Sequence, residues 1–422
     1  MTEKRRLVAI DATRGIALVG MMAVHSLYES TEAGAPTLSF TMFGGRAAAA
    51  FAVLAGVTIA FLTGRRRVGR ADARGQIVAL ATRALAIAVI GLTLGYTDAS
   101  IAAVILPYYG VMFLLAIPLV FLPTWLVAVA AAALAGGVPV LMHFWLPHLP
   151  KPTLLNPTWS YLFHHPLSLL SELTVTGEYP ALPWLVYLAV GIVIGRLKLS
   201  SVKVAAGLLV SGVVLAVGAA VTSSLLLDRW GGTLHIWLAQ KESFLTTAET
   251  ADVLRFGADG TVPTETWWWL AVDAPHTSTP PDLVGTTGTA VALLGALLLL
   301  GHVTQRHVRR VVRIVLAPLA AAGSMTLTLY TVHLMFINSD YDTYDAVLGY
   351  CLQVCAVLLI GLAWRATAGK GPLEALVSFL CVRARRLVTR SSVPRVPDGP
   401  PPPIGAMATV LRVPAPARSA DR

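Results

Sequence analysis

Long apolar runs separated by short polar stretches make up most of the chain as far as about residue 365. A helix needs about 20 mostly apolar residues to cross about 30 Å of hydrocarbon. The first run contains charged residues and has no convincing cleavage site, so it is predicted to be a span and not a signal peptide. The pattern predicts ten transmembrane helices, at roughly 8–28, 44–63, 77–97, 101–122, 124–145, 181–196, 202–226, 284–301, 314–338 and 344–364.

The chain after the last apolar run divides into two parts. Residues 371–388 are too short and too charged to cross a membrane, and their leucines fall on one helical face, which predicts an amphipathic helix on the inner leaflet. Residues 389–422 are rich in proline and arginine, which is typical of disorder. The predicted organisation is one membrane domain over 1–388, followed by a basic, Pro-rich cytoplasmic tail over 389–422.

The basic residues indicate the orientation of the spans. If the N-terminus is cytoplasmic, the inner segments before residue 314 hold 15 Lys and Arg residues and the outer loops hold four. Cytoplasmic loops carry such an excess of positive charge in membrane proteins. The predicted fold class is therefore all-α, a polytopic integral membrane helix bundle of about ten spans with both termini inside, in a bacterial-type plasma (inner) membrane.

The composition agrees with this fold and excludes several others. Only 13% of the 422 residues are charged, about half of what a soluble domain carries, so an ordinary cytosolic enzyme and a disordered protein are excluded. The net charge of +10 is distributed between apolar runs, so it indicates topology and not a nucleic-acid surface. None of the three cysteines lies in a predicted external segment, so neither a disulfide framework nor a metal site is predicted.

The first predicted span contains an unusual set of ionisable residues. Asp11, Arg14 and His25 all lie within it, and ionisable residues inside a membrane are expensive and often functional. Arg14 and His25 are eleven residues apart, about 20° from three full helical turns, and Asp11 is about 40° from register with His25. The three side chains therefore share one stripe, with Arg14 near the inner side and His25 roughly 16 Å further out.

This spacing suits a long anionic donor that enters from the cytoplasm. Acyl-CoA combines a phosphorylated nucleotide with a thin arm and a terminal thioester, so Arg14 would meet its phosphates while His25 acts as general base on an acceptor. Asp11 would orient Arg14. The alternative is that Asp11 and Arg14 form an ordinary pair near the interface and that His25 is an interfacial histidine. No tightly bound cofactor is predicted; acetyl-CoA or another acyl-CoA would be a substrate.

Five further residues are candidates for the same site. Arg83, in the inner third of the third span, could join Arg14 on the donor phosphates or snorkel to the interface. Arg46, His276, Tyr330 and His333 fall near the outer side and are candidates for the acceptor side, although the two histidines could equally serve packing or a loop. No inverted pair of broken helices is apparent, which argues against a common transporter architecture.

Several motifs resemble one family of membrane enzymes. RLVAIDATRGIALVGMMAVH resembles the first span of bacterial heparan-α-glucosaminide N-acetyltransferase-like membrane proteins, and its arginine, ten residues and histidine are similar to acyltransferase family three. Both belong to a proposed transmembrane acyltransferase superfamily. Further resemblance follows in order in FGGRAAAAFAVLAGVTIAF, ILPYYGVMFLLAIPL, ALPWLVYLAVGIVIGR, APHTSTPPDLVGTTGTAVALLG, GSMTLTLYTVHLMF and GPLEALV.

The resemblance implies transfer of an acetyl or other acyl group from cytoplasmic acyl-CoA to an extracytoplasmic sugar, glycan or glycolipid. Family three supports His25 as the base, whereas the lysosomal member has Asn there and places its histidine in the following loop. Membrane lipid and a possible second copy of the chain are further expected partners, and nucleic acid is not. The alternatives are an envelope lipid or sugar transporter (a flippase) and a non-catalytic membrane assembly protein.

Overall fold

The computed structural model describes residues 8–390, so the basic residues 4–6 and the tail from residue 391 lie outside the described part. Over that part the chain is helical and forms no strand. The first ten helices are α1 (Val8–Ser26), α2 (Leu38–Phe43), α3 (Arg46–Leu62), α4 (Ala73–Leu94), α5 (Leu106–Leu115), α6 (Thr124–Trp145), α7 (Trp159–His164), α8 (Pro166–Ser171), α9 (Ala181–Arg196) and α10 (Val202–Ser224). The others are α11 (Gly232–Ala239), α12 (Thr247–Phe256), α13 (Pro280–Leu300), α14 (Arg306–Ala322), α15 (Thr326–Ile337), α16 (Ala346–Thr367) and α17 (Pro372–Arg390).

The prediction of a multi-pass helical membrane protein is confirmed. Among the described residues seven helices are long and apolar enough to cross a membrane, and up to nine if each of two bent pairs is one span. Each of the ten predicted runs coincides with helix. In the fourth run the helix is shorter than the predicted span, because α5 ends at Leu115 and is followed only by a short 3₁₀ turn at Pro118–Phe121.

Two candidate spans are bent, a feature that the hydropathy pattern did not predict. The helical segment Pro166–Thr176 meets α9 at 52°, and α14 meets α15 at 70°. Pro180 ends the first break as the N-cap of α9, and Pro183 lies in the first turn of that helix, where proline is tolerated. At the second break Gly323 and Ser324 interrupt an apolar run that hydropathy alone cannot resolve into two helices.

Close helix contacts at glycine place α1 against α14. A β-carbon on Gly15 would collide with the backbone oxygen of Leu319, and one on Gly323 would collide with the backbone oxygen of Asp11. Gly56 of α3 and Gly191 of α9 make a similar contact, since a β-carbon on Gly191 would lie 2.8 Å from Cα of Gly56. Small residues permit this approach in membranes, where packing drives helix association.

The loops on the side of His25 form a cover. Arg255 of α12 donates from Nη1 to the backbone oxygen of Gly34 at 2.7 Å, and Ala258 N donates to Pro275 O at 3.1 Å. Gly257 has φ +100°, a conformation that favours glycine, and a β-carbon there would meet the oxygen of Pro275. These contacts hold the segment that contains His276.

The predicted amphipathic segment 371–388 is helical as α17. It packs along α4 and the start of α15 and does not stand apart from the bundle. Its side chains also reach the cavity described below. The helix therefore contributes to the site as well as to the surface.

Candidate functional site

A single cavity of about 420 Å³ is lined by both Arg14 and His25. The two side chains are contributed by the same face of α1, as the helical spacing predicts, and Met21 lies between them on that wall. The cavity therefore connects the guanidinium to the imidazole. This was the geometric requirement for a donor that reaches from one to the other.

The cavity wall formed by α3 is mostly apolar. One face of α3 contributes Ala48, Phe51, Ala55, Thr58 and Leu62, which recur at helical spacings of three and four. Further apolar walls come from α5 and from the loop before it. Such a lining suits an uncharged arm and leaves the polar contacts to the two ends.

Two side chains of the described part of the chain hold Arg14 at one end of the cavity. Its Nη1 donates to Oδ1 of Asp11 at 3.1 Å, and its Nη2 donates to Oγ1 of Thr58 at 2.5 Å. Asp11 is buried, whereas Arg14 keeps about a fifth of its side chain exposed. The predicted pairing of Asp11 with Arg14 is therefore present, and it holds the guanidinium in the cavity wall.

Two more cations line the same cavity. Arg83 of α4 does so, as expected of a group that would join Arg14, and Lys370 comes from the turn before α17. Glu374 of α17 is the carboxylate among the lining residues. With Asp11 paired to Arg14 behind the wall, these three cations still exceed the two carboxylates, so the charge of the described residues favours an anionic ligand.

His25 belongs to a chain of side chains from three helices. Its Nδ1 lies 3.2 Å from Nε2 of His333 on α15, and Nδ1 of His333 lies 2.7 Å from Oε1 of Gln353 on α16. The two imidazole planes are within 5° of parallel with centroids 5.4 Å apart. Two parallel rings with this centroid separation and a nitrogen–nitrogen distance of 3.2 Å lie edge to edge. This arrangement allows a hydrogen bond between the two nitrogens.

The order of this chain determines where the protons lie. With the Gln353 amide oriented so that Oε1 faces His333, Nδ1 of His333 donates and its Nε2 accepts. In that arrangement Nδ1 of His25 donates to His333, and the lone pair of His25 is on Nε2. An imidazole in this tautomer can accept a proton through Nε2, as a general base must.

Three tyrosines, Tyr109, Tyr179 and Tyr330, line the cavity. Tyr330 lies one turn before His333 on α15, lines the cavity, and its hydroxyl oxygen accepts from the backbone N–H of Ile105 at 3.3 Å. Tyr179, in the loop before α9, also lines the cavity. The structure thus brings Tyr330 and His333 to His25.

His276 and Arg46 lie beyond the cavity wall. His276 packs edge-on against Tyr179 with centroids 5.2 Å apart and within 13° of parallel to Trp184. Its backbone has φ +58°, and burial lowers its pKa to about 4. Arg46 donates to the backbone oxygen of Thr41, and its charge opposes the burial that raises the pKa of Asp273.

Sequence reasoning missed Tyr109 and Tyr179 as well as Thr58, Gln353, Lys370 and Glu374. Gln353 and Thr58 are polar positions inside apolar runs, which is a usable signal, although hydroxyls often bond only their own helix. Lys370 precedes α17 and Glu374 lies in its first turn. The sequence predicts that this helix lies on the leaflet surface. Their role could not be anticipated because it depends on where α17 docks.

The fold and the cavity define a multi-pass helical membrane protein with a polar internal site. The family model "Heparan-alpha-glucosaminide N-acetyltransferase, catalytic" matches residues 6–223, about half of the chain, and the chain belongs to this family. The family name describes an N-acetyltransferase, in agreement with the resemblance found in the sequence. Comparison with curated proteins found no match. Arg14, His25 and Arg83 fall within the matched residues, whereas His333, Gln353 and Glu374 follow them.

Proposed function

We propose that this protein transfers an acyl group, in particular acetyl, from acyl-CoA on the cytoplasmic side to a sugar, glycan or glycolipid outside. The observation that carries the proposal is the single cavity lined by both Arg14 and His25. Family membership supports the acetyl group and the sugar acceptor. The proposed site consists of Arg14, Arg83 and Lys370 for the donor and His25 for proton transfer.

The donor would bind with its phosphates at the cationic end. Guanidinium groups form charge-assisted, two-pronged hydrogen bonds with phosphate oxygens. Asp11 and Thr58 would keep Arg14 in position, as their contacts with it suggest. The apolar wall of α3 would accommodate the uncharged arm and direct the thioester towards His25.

The reaction requires one proton to leave the acceptor. An acceptor amine or hydroxyl attacks the thioester carbonyl, its proton passes to Nε2 of His25, and the carbon–sulfur bond breaks. The released CoA thiolate takes up that proton from Nε2 of His25, directly or through water, which restores the neutral imidazole. His333 would stabilise the protonated His25 by its hydrogen bond, and Gln353 would hold the orientation of His333.

The topology in this proposal has ten spans and both termini inside, in a bacterial-type plasma membrane. It counts the short α5 segment as a span and each bent pair as one. The basic residues of the inner segments support the orientation. The orientation puts Arg14 on the cytoplasmic side, where acyl-CoA is available.

A transporter is the second candidate, because the two bent helix pairs are a feature of transporters. A transporter would move its substrate without depending on acyl-CoA. A non-catalytic assembly protein would show changes only in stability or oligomeric state when the polar residues are replaced. Family membership favours acyl transfer over both alternatives.

The deciding experiment uses the full chain in proteoliposomes with radiolabelled acetyl-CoA and an envelope glycan extract from a strain that lacks the gene. Wild type should transfer label to the glycan, and His25→Ala should reduce transfer by at least about a hundredfold while it still binds acetyl-CoA. His307→Ala, at an exposed position of α14, is the matched control. Equal transfer by wild type and His25→Ala would remove His25 from the role of base, and absence of transfer by wild type would remove the proposed function.

A further inference from the structure

The broken span α14–α15 leaves the start of α15 inside the bundle, where a carboxylate from α17 binds it. Oε1 of Glu374 accepts from the backbone N–H of Leu327 at 2.7 Å and of Thr328 at 3.2 Å. Oε2 accepts from the hydroxyl of Thr328 at 2.6 Å. One carboxylate, 46 residues away from Thr328 in sequence, therefore caps the first turn of α15.

The turn before α17 is shaped for this contact. The hydroxyl oxygen of Thr328 accepts in return from the backbone N–H of Leu373 at 3.2 Å. Gly371 leaves no room for a side chain, since a β-carbon there would lie 2.6 Å from that of Met325 and would collide with Glu374. The two segments thus fit through hydrogen bonds in both directions and through the absence of a side chain at residue 371.

The cap supplies hydrogen-bond acceptors to the start of a helix that begins within a membrane protein. The first backbone N–H groups of any helix have no partner in their own helix. Residues 326–328 are half-buried, so an N–H group without a partner there would cost free energy. A negative charge at the positive end of the helix dipole stabilises α15 further.

The same helix carries the partner of His25. Tyr330 and His333 follow the capped turn on α15, and both belong to the site. We propose that Glu374 is a positioning residue, which fixes α15 so that His333 remains hydrogen-bonded to His25. The kinetic part of this proposal rests on the proposed acyl transfer, and the cap itself does not.

The kinetic test compares Glu374→Ala, Glu374→Gln and the control Glu242→Gln, an exposed glutamate far along the chain from α17. Glu374→Ala should lower kcat by about tenfold to a hundredfold, because small displacements of catalytic geometry have effects of this size. The KM for acetyl-CoA should not rise, since a carboxylate is removed from a cationic cavity. Glu374→Gln should fall between wild type and Glu374→Ala because its amide oxygen still accepts.

The pair Thr328→Val and Thr328→Ser tests the other side of the contact. Serine keeps the hydroxyl and should retain most of kcat, whereas valine should lower it as Glu374→Ala does. Rates are compared per mole of monodisperse protein, so that a loss of folded protein is not counted as a loss of turnover. An unchanged kcat in Glu374→Ala, or a raised KM with unchanged kcat, would overturn the positioning role.

A structural readout separates this proposal from the acyl-transfer proposal. Hydrogen exchange of the amides of residues 326–330 should be faster in Glu374→Ala than in Glu242→Gln. The ¹⁵N shifts of His25 and His333 in histidine-labelled protein should show loss of their hydrogen bond. If wild type transfers no acyl group, these two structural measurements still test the inference. Unchanged hydrogen exchange and unchanged ¹⁵N shifts in Glu374→Ala would contradict it, and changes in both would support it.

Discussion

Nδ1 of His25 lies 3.2 Å from Nε2 of His333, although 308 positions separate the two residues in sequence. Their proximity depends on the close contact of α1 with α14, in which Gly15 and Gly323 leave no space for a side chain. The break after α14 then turns α15 by 70°, and His333 follows two turns later. The arrangement of His25 is therefore a property of the packed bundle and not of α1 alone.

The role of Gln353 can be tested by changes of one side chain. Gln353→Met preserves length but cannot accept from His333, whereas Gln353→Glu retains an acceptor. We expect Gln353→Met to reduce kcat by about tenfold to a hundredfold, as loss of an orienting partner does in comparable networks. Gln353→Glu should keep most of the activity.

Steady-state acetyl transfer and direct acetyl-CoA binding check this prediction together. Binding of the donor should be the same in both variants, because Gln353 does not line the cavity. Full activity of Gln353→Met would show that the orientation of His333 is unimportant.

Replacement of Arg14 should weaken donor binding. Hydrogen bonds to charged groups contribute about 1.5–3 kcal/mol, so Arg14→Gln should raise the dissociation constant of acetyl-CoA by about tenfold to a hundredfold. Thr58→Val should have a smaller effect in the same direction because it removes only a contact of Arg14. Isothermal titration in detergent measures both changes.

Arg309→Gln is the control for charge, because Arg309 is an exposed cation of α14 outside the cavity lining. If Arg14→Gln and Arg309→Gln bind acetyl-CoA equally well, Arg14 is not a donor-binding residue.

His276 should make stability depend on pH. Its pKa falls from 6.5 to about 4 on folding because of burial, so below pH 6.5 the unfolded chain binds a proton that the folded protein does not. Stability should therefore decrease as pH falls from about 7 to about 4, by about 1–2 kcal/mol at pH 5. Below about pH 4 this contribution should level off.

The variant His276→Asn should lose this dependence, and asparagine tolerates the positive φ at this position. Apparent melting temperatures at pH 7 and pH 5 measure the difference, with His307→Asn as the exposed control. An equal drop in wild type and His276→Asn would assign the pH dependence to other groups.

The contact between α3 and α9 should not tolerate a larger residue. Gly191→Ala places a β-carbon against the backbone of α3, which should cost about 1–3 kcal/mol through overpacking. The opposite face of α3 lines the cavity, so activity should also fall. Gly218→Ala on α10, where the added carbon meets open space, should be neutral or slightly stabilising. A thermal shift assay that ranks the two variants equally would contradict this account of the contact.

Much of the fold could be predicted from the sequence, because apolar length and helical spacing follow directly from membrane thickness and helix geometry. The ten apolar runs all coincide with helix. The common stripe of Arg14 and His25 also depends only on spacing within one helix. The breaks near Pro180 and Gly323 were harder to predict, since mean hydropathy does not distinguish a straight helix from a bent one.

The contacts between distant segments could not be predicted from the spacing of residues. His333 was a candidate, but neither its bond to His25 nor the role of Gln353 follows from spacing within one helix. Glu374 was overlooked because a charged helix after the last span resembles a surface helix. Only the packed structure brings it to the start of α15.

The apolar wall described for α3 has a consequence for the membrane as a permeability barrier. An internal void that links groups at two depths offers a route by which water, and with it protons, could leak down a gradient. Phe51 and Phe113 are the phenylalanines of its lining, and hydrophobic surfaces expel water from a narrow passage. A polar residue at either position would therefore endanger the ion gradients of the cell, even if catalysis were unharmed.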